Sequence, residues 1–451
     1  MNKRGLLGLY ETTIRNIARR LYLKLHGRDP AYECRLVNEV MNSGRLNNAH
    51  GKFLQDILLY SIRNVPYYRD SIGFLREIIL EEHEFVSSDV FCKIPMLERN
   101  VIRRNFRRLL SRDYAKRRPY IMSTSGSTGE PLRVVLDAIY DRWISATVEY
   151  YYSKMVGIDF NRVRKIFLLS NVPAQGTKSL KARLHEEANN MIRLKCGELS
   201  RELLADCVKT LNTHKPLLLH GNASTLYELS KFIERSNINH HNPKVIVSTG
   251  EVLHEFMRGK IESVFSRKVY DFYGAREVSG IAGECSEGAM HIFTFNNHFE
   301  IENSGNCEGD VVLTPLHNYS MPLLRYRIGD QVTAKLNRCK CGSPLPALRK
   351  IVGRSLDYFV TEDKRLIHGA IFIRLLRNEQ LVETFRVVQE DVNKVRILVV
   401  MKRADPDWIR HVETEIKRLM GENCKVIWDF LNEIPSSAGG KHLYVQSLLR
   451  Q

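Results

Sequence analysis

Apolar residues recur at three- and four-residue steps along 5–26, at Leu7, Tyr10, Ile14, Ile17, Leu21 and Leu25. That is the spacing of an amphipathic helix. Its polar positions hold Arg15, Arg19, Arg20 and Lys24. The stripe admits two readings: a helix packed on the body with a solvated basic face, or a helix that also touches anionic lipid. Helical spacing continues through 53–65 and 99–111, with breaks at Pro66 and Pro95. From Ile121 onward, short apolar runs at 133–136, 165–170, 216–220, 244–248 and 268–273 alternate with helical stretches at 140–156, 201–214, 224–236 and 253–265. Alternation on that scale predicts an α/β domain with at least one largely parallel sheet. Residues 289–335 read as short strands with Gly and Asn turns, a β-rich subdomain. After Gly353 the pattern is a hairpin (357–361 and 365–368), a helix, strands at 383–389 and 394–401, a helix at 407–421 and a strand at 425–430. That is a small α+β domain. The expected organisation is a basic helical segment over 1–60, a large domain over 61–352 and a small one over 353–451.

Composition narrows the partners. The 451 residues include 43% hydrophobic and 26% charged side chains, as in globular proteins. No apolar run is long enough to span a bilayer. The net charge of +17 favours an anionic partner such as a nucleotide, coenzyme A or anionic lipid. The charge is spread without a basic tract, which argues against nucleic acid. Nine cysteines in a long chain without a secretory leader pattern suggest a reducing, cytoplasmic setting, at most peripheral to the inner membrane face. Clustered cysteines then read as metal ligands.

Two segments carry candidate chemistry. Ser123, Thr124, Ser125, Gly126, Ser127, Thr128 and Gly129 lie between apolar 120–122 and the run at 132–136. Small hydroxyl and glycine residues leave backbone N–H groups open to phosphate oxygens, although a plain flexible loop has the same composition. The G-K-[ST] ending of a Walker loop is missing. Cys339-x-Cys341 is followed by Gly342, and Cys285 and His291 lie upstream. Together they would close a tetrahedral Cys₃His structural zinc site, with Cys307 a competing ligand and free buried thiols the plainer alternative.

Residues 124–131 resemble the phosphate-binding signature of adenylate-forming enzymes, the superfamily of acyl-CoA synthetases, luciferases and peptide-synthetase adenylation domains. Further strings follow in the same order: Ser248-Thr249-Gly250-Glu251, Tyr273-Gly274-Ala275-Arg276-Glu277, Tyr326-Arg327-Ile328-Gly329-Asp330, Gly353-Arg354-Ser355-Leu356-Asp357 and Gly440-Lys441. Asn64-Val65-Pro66-Tyr67-Tyr68-Arg69, Ile94-Pro95-Met96-Leu97 and Cys339-Lys340-Cys341-Gly342 are similar to the phenylacetate–coenzyme A ligase-like family and its capsular-polysaccharide branch.

The resemblance implies a large α/β domain with a small mobile α+β domain, and an active site in the crevice between them. It implies ATP-dependent activation of a carboxylic acid as an acyl-adenylate, then transfer to coenzyme A or another thiol, amine or hydroxyl, in surface polysaccharide synthesis. Lys441, Glu277 and Thr128 would be catalytic, with Glu277 the Mg²⁺ ligand. Thr124, Ser125, Gly126, Ser127, Thr128 and Gly129 would hold phosphates. Gly250, Glu251, Tyr273, Gly274, Asp330 and Arg354 would hold the nucleoside. Trp143, Tyr150, His220, Asn222 and Phe272 are positional candidates for the acid pocket. Glu130 stands where many relatives have Lys, and Leu356 where many have an acidic residue. A degenerate interaction protein and a basic nucleic-acid binder are the rival classes.

Overall fold

Short runs rich in Val, Ile, Leu and Phe make the strands of this protein, as β-branched and aromatic side chains fit a pleated surface best. The computed structural model describes residues 19–25, 27–81, 87–123, 132–169, 179–196, 200–302, 308–333, 335–336, 339–354, 358–363, 365–378, 380–434 and 444–449. Two compact units meet in sequence at Val352 and Gly353.

In the first unit, β1 (Tyr120–Ser123) and β2 (Arg133–Leu136) form an antiparallel pair with Ser123 opposite Arg133. Then come β3 (Lys165–Leu169), β4 (Met191–Lys195), β5 (Leu218–Asn222), β6 (Val245–Thr249), β7 (Val269–Tyr273), β8 (Ala282–Glu284) and β9 (Met290–Ile292). They are followed by β10 (Asn297–Glu302), β11 (Glu308–Pro315), β12 (Tyr326–Thr333), β13 (Lys335–Leu336), β14 (Ala347–Leu348) and β15 (Ile351–Arg354). The large sheet has the order β13-β14-β9-β8-β7-β6-β5-β3-β4. Strands β3 to β7 pair in parallel, and β7 to β9 and β14 continue antiparallel. A second sheet has the order β10-β11-β12-β15.

Local signals set the helices between the parallel strands. Asp137, Ser179 and Ser200 cap the helices Ala138–Tyr150, Leu180–Ala188 and Arg201–His214 by accepting from a backbone N–H three residues on. Lys215, Asn237 and Ser266 take left-handed φ values of 43°, 45° and 50° and end their helices before the chain turns into the next strand. The core between sheet and helices is aromatic, with Tyr150, Tyr151, Tyr152, Phe272, Phe293 and Phe295 all buried.

Three details depart from the sequence expectations. Helical structure at 99–111 stops at Arg104, where the Asn105 side chain donates to Val101 O. The helix expected over 140–156 changes at Tyr150 into a π-helical turn, Tyr151–Val156, closed by Gly157 at φ 82°. Strand β4 was not apparent, because its sequence Met-Ile-Arg-Leu-Lys lacks clean alternation and only Leu194 is buried.

The second unit contains β16 (Tyr358–Val360) paired with β17 (Leu366–His368), then β18 (Val382–Asp391), β19 (Lys394–Met401), β20 (Lys425–Phe430) and β21 (Val445–Ser447) in the order β20-β19-β18-β21. The helix Pro406–Met420 is capped by Asp405 and buries Val412, Ile416 and Met420 at helical spacing. Gln389 is fully buried, and its amide bonds both Val360 N and Val360 O and accepts from Ser447 Oγ. It thus ties β18 to β16 and β21. Among the described residues no helix is long and apolar enough to cross a membrane.

Candidate active site and metal centre

The carboxyl ends of parallel strands are where open α/β sheets bind ligands. At that edge Thr249 Oγ1 donates to Phe272 O at 2.8 Å and stitches the ends of β6 and β7 together. Gly250 follows with φ 75°, and a Cβ there would lie 3.3 Å from Asn222 Oδ1, so a glycine makes this turn. Glu251 Oε2 then accepts from Ser224 N at 2.8 Å, placing a carboxylate on the first turn of the helix Ala223–Ser236.

Strand β7 delivers the next group. The Tyr273 hydroxyl donates to Asp330 Oδ2 at 2.7 Å, joining β7 to β12 across 57 positions of sequence. After Gly274 the backbone folds back, with Ala275 N donating to Val278 O at 2.8 Å. This turn carries Glu277, only 3% exposed. The Tyr326 hydroxyl donates to Glu277 Oε1 at 3.0 Å, and Arg99 Nη2 lies 3.4 Å from the same oxygen. Both contacts use the same oxygen, Oε1. Arg276 Nη1 donates to Ser123 O at 3.2 Å, which ties the turn to the end of β1 just before the Ser/Gly string.

Arg99 has no motif of its own, and spacing does not connect it to Glu277. The connection arises because Leu97 N donates to Arg325 O and Arg327 N to Leu97 O, so the segment after Pro95 pairs with β12. Arg99 also reaches Tyr326 Oη at 3.3 Å and Ile328 O at 3.1 Å. Burial works against its charge, but Tyr326, Glu277 and Asp330 together raise its pKa. Burial first, and then Glu277, push the Tyr326 hydroxyl up, so it donates as a neutral phenol.

The structure therefore brings together Glu277, Tyr273, Gly274 and Asp330, with Gly250 and Glu251 at the adjacent strand end. Thr124 to Gly129, Glu130, Cys307, Leu356, Asp357 and Lys441 lie outside the described residues. Arg354 closes β15, and its side chain is likewise outside them. Of the positional pocket candidates, Trp143 stacks on His317 at 3.6 Å, Tyr150 and Phe272 belong to the aromatic core, and Asn222 lies against Gly250. His220 takes a hydrogen bond with Tyr152 Oη at 2.8 Å through Nδ1, and burial holds it neutral, its pKa down to about 4.

The metal ligands foreseen in the sequence converge. Cys285, His291, Cys339 and Cys341 present ligand atoms all within 4.8 Å of one another. Cys285 Sγ and Cys339 Sγ are 3.7 Å apart, close to the ~3.8 Å that two thiolates keep on a tetrahedral metal at about 2.3 Å. Cys341 Sγ is 3.2 Å from His291 Nε2, and His291 Nδ1 bonds Leu345 O at 2.9 Å. That second bond fixes the ring and leaves Nε2 as the ligand atom. Burial pushes the Cys341 thiol up to about 12, with Cys339 and Cys285 adding to it. A cation at the centre would reverse that and make these ligands thiolates. The donor set and spacing fit zinc.

The fold is that of the adenylate-forming CoA ligases: the structure of 2-hydroxyisobutyryl-CoA ligase in the postadenylation state, in complex with R3-HIB-AMP, superposes with a TM-score of 0.68 at 18% identity over 90% of each chain. In sequence the chain is related to CapK and to the phenylacetate-coenzyme A ligases. Protein CapK of Staphylococcus aureus is 25% identical over 367 residues, 77% of this chain and 78% of that one. Phenylacetate-coenzyme A ligase of Pseudomonas putida is 26% identical over 196 residues, 40% of this chain and 43% of that one. A family model for the CapK C-terminal domain matches residues 359–447.

Proposed function

We propose that the protein uses ATP to activate a carboxylic acid as its acyl-adenylate and then transfers the acyl group to the thiol of coenzyme A. The carrying observation is the pair of tyrosine–carboxylate links, Tyr273 to Asp330 and Tyr326 to Glu277, at the carboxyl edge of the parallel strands. A carboxylate oxygen of the acid attacks the α-phosphorus, and the bond to pyrophosphate breaks. The coenzyme A sulfur then attacks the acyl carbon and AMP leaves. The protein's work is to align two anions that repel each other and to offset their charge.

Asp330, oriented by Tyr273, accepts hydrogen bonds from ribose hydroxyls, as an ionised carboxylate can only accept. Gly250 and Gly274 let the backbone come close to the base. Glu277, held on one oxygen by Tyr326 and Arg99, offers its other oxygen to Mg²⁺, which when bound neutralises phosphate charge. Arg99 is a positioning residue for Glu277. The hydroxyls and N–H groups from Thr124 to Gly129, Thr128 among them, take the pyrophosphate; Lys441 takes the developing charge at the α-phosphate, and Arg354 the ribose. Zinc at Cys285, His291, Cys339 and Cys341 is structural, with every position filled by protein. The relation to CapK supports a place in surface polysaccharide synthesis.

The test is ATP–pyrophosphate exchange across a panel of carboxylic acids. One or more acids should stimulate exchange. Glu277→Gln should lower it by on the order of 10²–10³, the range for losing one electrostatic contact made in the transition state. Absence of both ATP binding and exchange would overturn the enzymatic reading.

A further inference from the structure

The two described residues of the N-terminal apolar stripe, Leu21 and Leu25, do not pack on the body. Within the helical residues 19–25, Arg19 Nε donates to Asn189 Oδ1 at 2.9 Å and the Tyr22 ring lies 5.8 Å from His185. Leu21 and Leu25 are instead 57% and 77% exposed. The neighbouring helix, Leu180–Ala188, repeats the pattern, with Leu180 at 73% and Leu184 at 61%. The contacts of Arg19 with Asn189 and of Tyr22 with His185 run in opposite sequence directions, so the two helices lie side by side and antiparallel. One exposed leucine needs no explanation; four in one helix pair do.

Basic side chains surround them. Residues 19–28 hold Arg19, Arg20, Lys24 and Arg28 and no acidic residue. Arg20, Lys24 and Arg183 are exposed, as is Arg28, which pairs with Asp141 at 3.2 Å. Arg118 brings a fifth guanidinium to this end, packed so closely on Gly27 that a Cβ there would meet its Nη1. The acidic residues of the partner helix are Glu186, engaged with Arg193 at 3.0 Å, and Glu187.

We propose that this helix pair is a membrane-contact face that seats the protein on an anionic lipid bilayer. Leucines at the acyl boundary with Arg and Lys reaching up to phosphates is the arrangement of interfacial helices. A nucleic acid would use the cations and leave the leucines in water. A second copy of the chain would set this basic surface against itself. The pairing of two short helices also answers a size problem, since one turn of leucines on either helix alone would partition weakly.

The experiment is sedimentation of the full-length protein with phosphatidylcholine vesicles, with and without phosphatidylglycerol. Binding should require the anionic lipid and fall steeply with salt. Each basic side chain near such a surface contributes on the order of fivefold, so Arg20→Glu with Lys24→Glu should lower partitioning more than tenfold. Leu25→Ser with Leu184→Ser should remove the binding that persists at intermediate salt, with an unchanged thermal melt because both positions are exposed. Failure to sediment at low salt would overturn the proposal. So would leucine variants that bind like the parent, which would mean adsorption by charge alone. Self-association abolished by the same leucine variants would assign the face to a second copy instead.

Discussion

Lys165 opens β3 at 1% exposure, an unusual place for an ammonium group. Its Nζ donates to Phe160 O and lies 3.4 Å from Val163 O, and it sits 4.5 Å above the Phe160 ring. Those contacts do not match what water would supply. Burial, with Arg19 adding repulsion, lowers its pKa to about 7. The unfolded chain holds the proton up to 10.5. Between about 7 and 10.5 the unfolded state therefore binds more protons, and stability rises with pH, by at most about 1.4 kcal/mol per pH unit. Below about 7 both states are protonated and the penalty is complete. Lys165→Met removes the titration, so its melting temperature minus that of the parent should shrink as pH rises from 7 to 9.5. A constant difference would mean that Lys165 keeps its proton throughout. The sequence did not foretell this residue, because burial of a lysine depends on the 158–165 turn closing over it. Glu277 and Asp330 were different: they stand in strings, Tyr273–Glu277 and Tyr326–Asp330, that resemble family motifs, and that resemblance, not local spacing, singled them out.

Elements carry the next consequence. Cys285 lies between β8 and β9, His291 on β9, and Cys339 and Cys341 between β13 and β14, with His291 directly opposite Ala347 in the ladder. A metal there would clamp the antiparallel end of the large sheet, where strands are only two or three residues long. Such strands bury little and need a staple. Purified protein should carry about one zinc per chain. Cys341→Ser should lose it and cost about 3 kcal/mol or more, roughly 4 °C or more in a unit this large. Full zinc retention in Cys339→Ser and Cys341→Ser would refute the site. The parallel strands were legible because hydrophobic runs alternate with capped helices. The four-ligand set was expected from the tight Cys339-x-Cys341 pair with Cys285 and His291 upstream, although Cys307 competed with them. Arg99 was not, because its place at Glu277 comes from the pairing of Leu97 with β12, a long-range event that leaves no local pattern. The outward turn of Leu21 and Leu25 was likewise hidden, as periodicity shows that a helix has an apolar side but not what that side faces.

At the scale of the whole molecule the proposed chemistry is divided between two units, each with its own sheet and core. Glu277, Asp330 and the tyrosines that hold them belong to the first, and Lys441 to the second. Nucleotide binding draws on many groups of the first unit, so it should survive the loss of one cation from the second. In the proposed reaction, transfer of charge onto pyrophosphate draws on the Lys441 cation at the moment of reaction. Acyl transfer to a thiol needs no further charge at the α-phosphate beyond what AMP already carries. Lys441→Ala should therefore slow ATP–pyrophosphate exchange by on the order of 10²–10³. It should change ATP affinity little and leave acyl transfer from supplied acyl-adenylate largely intact. Glu277→Gln should slow exchange as well, and raised Mg²⁺ should partly restore it, because the amide holds the ion more weakly and a higher concentration offsets weaker binding. Measuring exchange and transfer separately in the full-length variants decides the matter. Equal losses in both half-reactions for Lys441→Ala would mean that the lysine serves binding rather than adenylation, and normal exchange would remove it from the site.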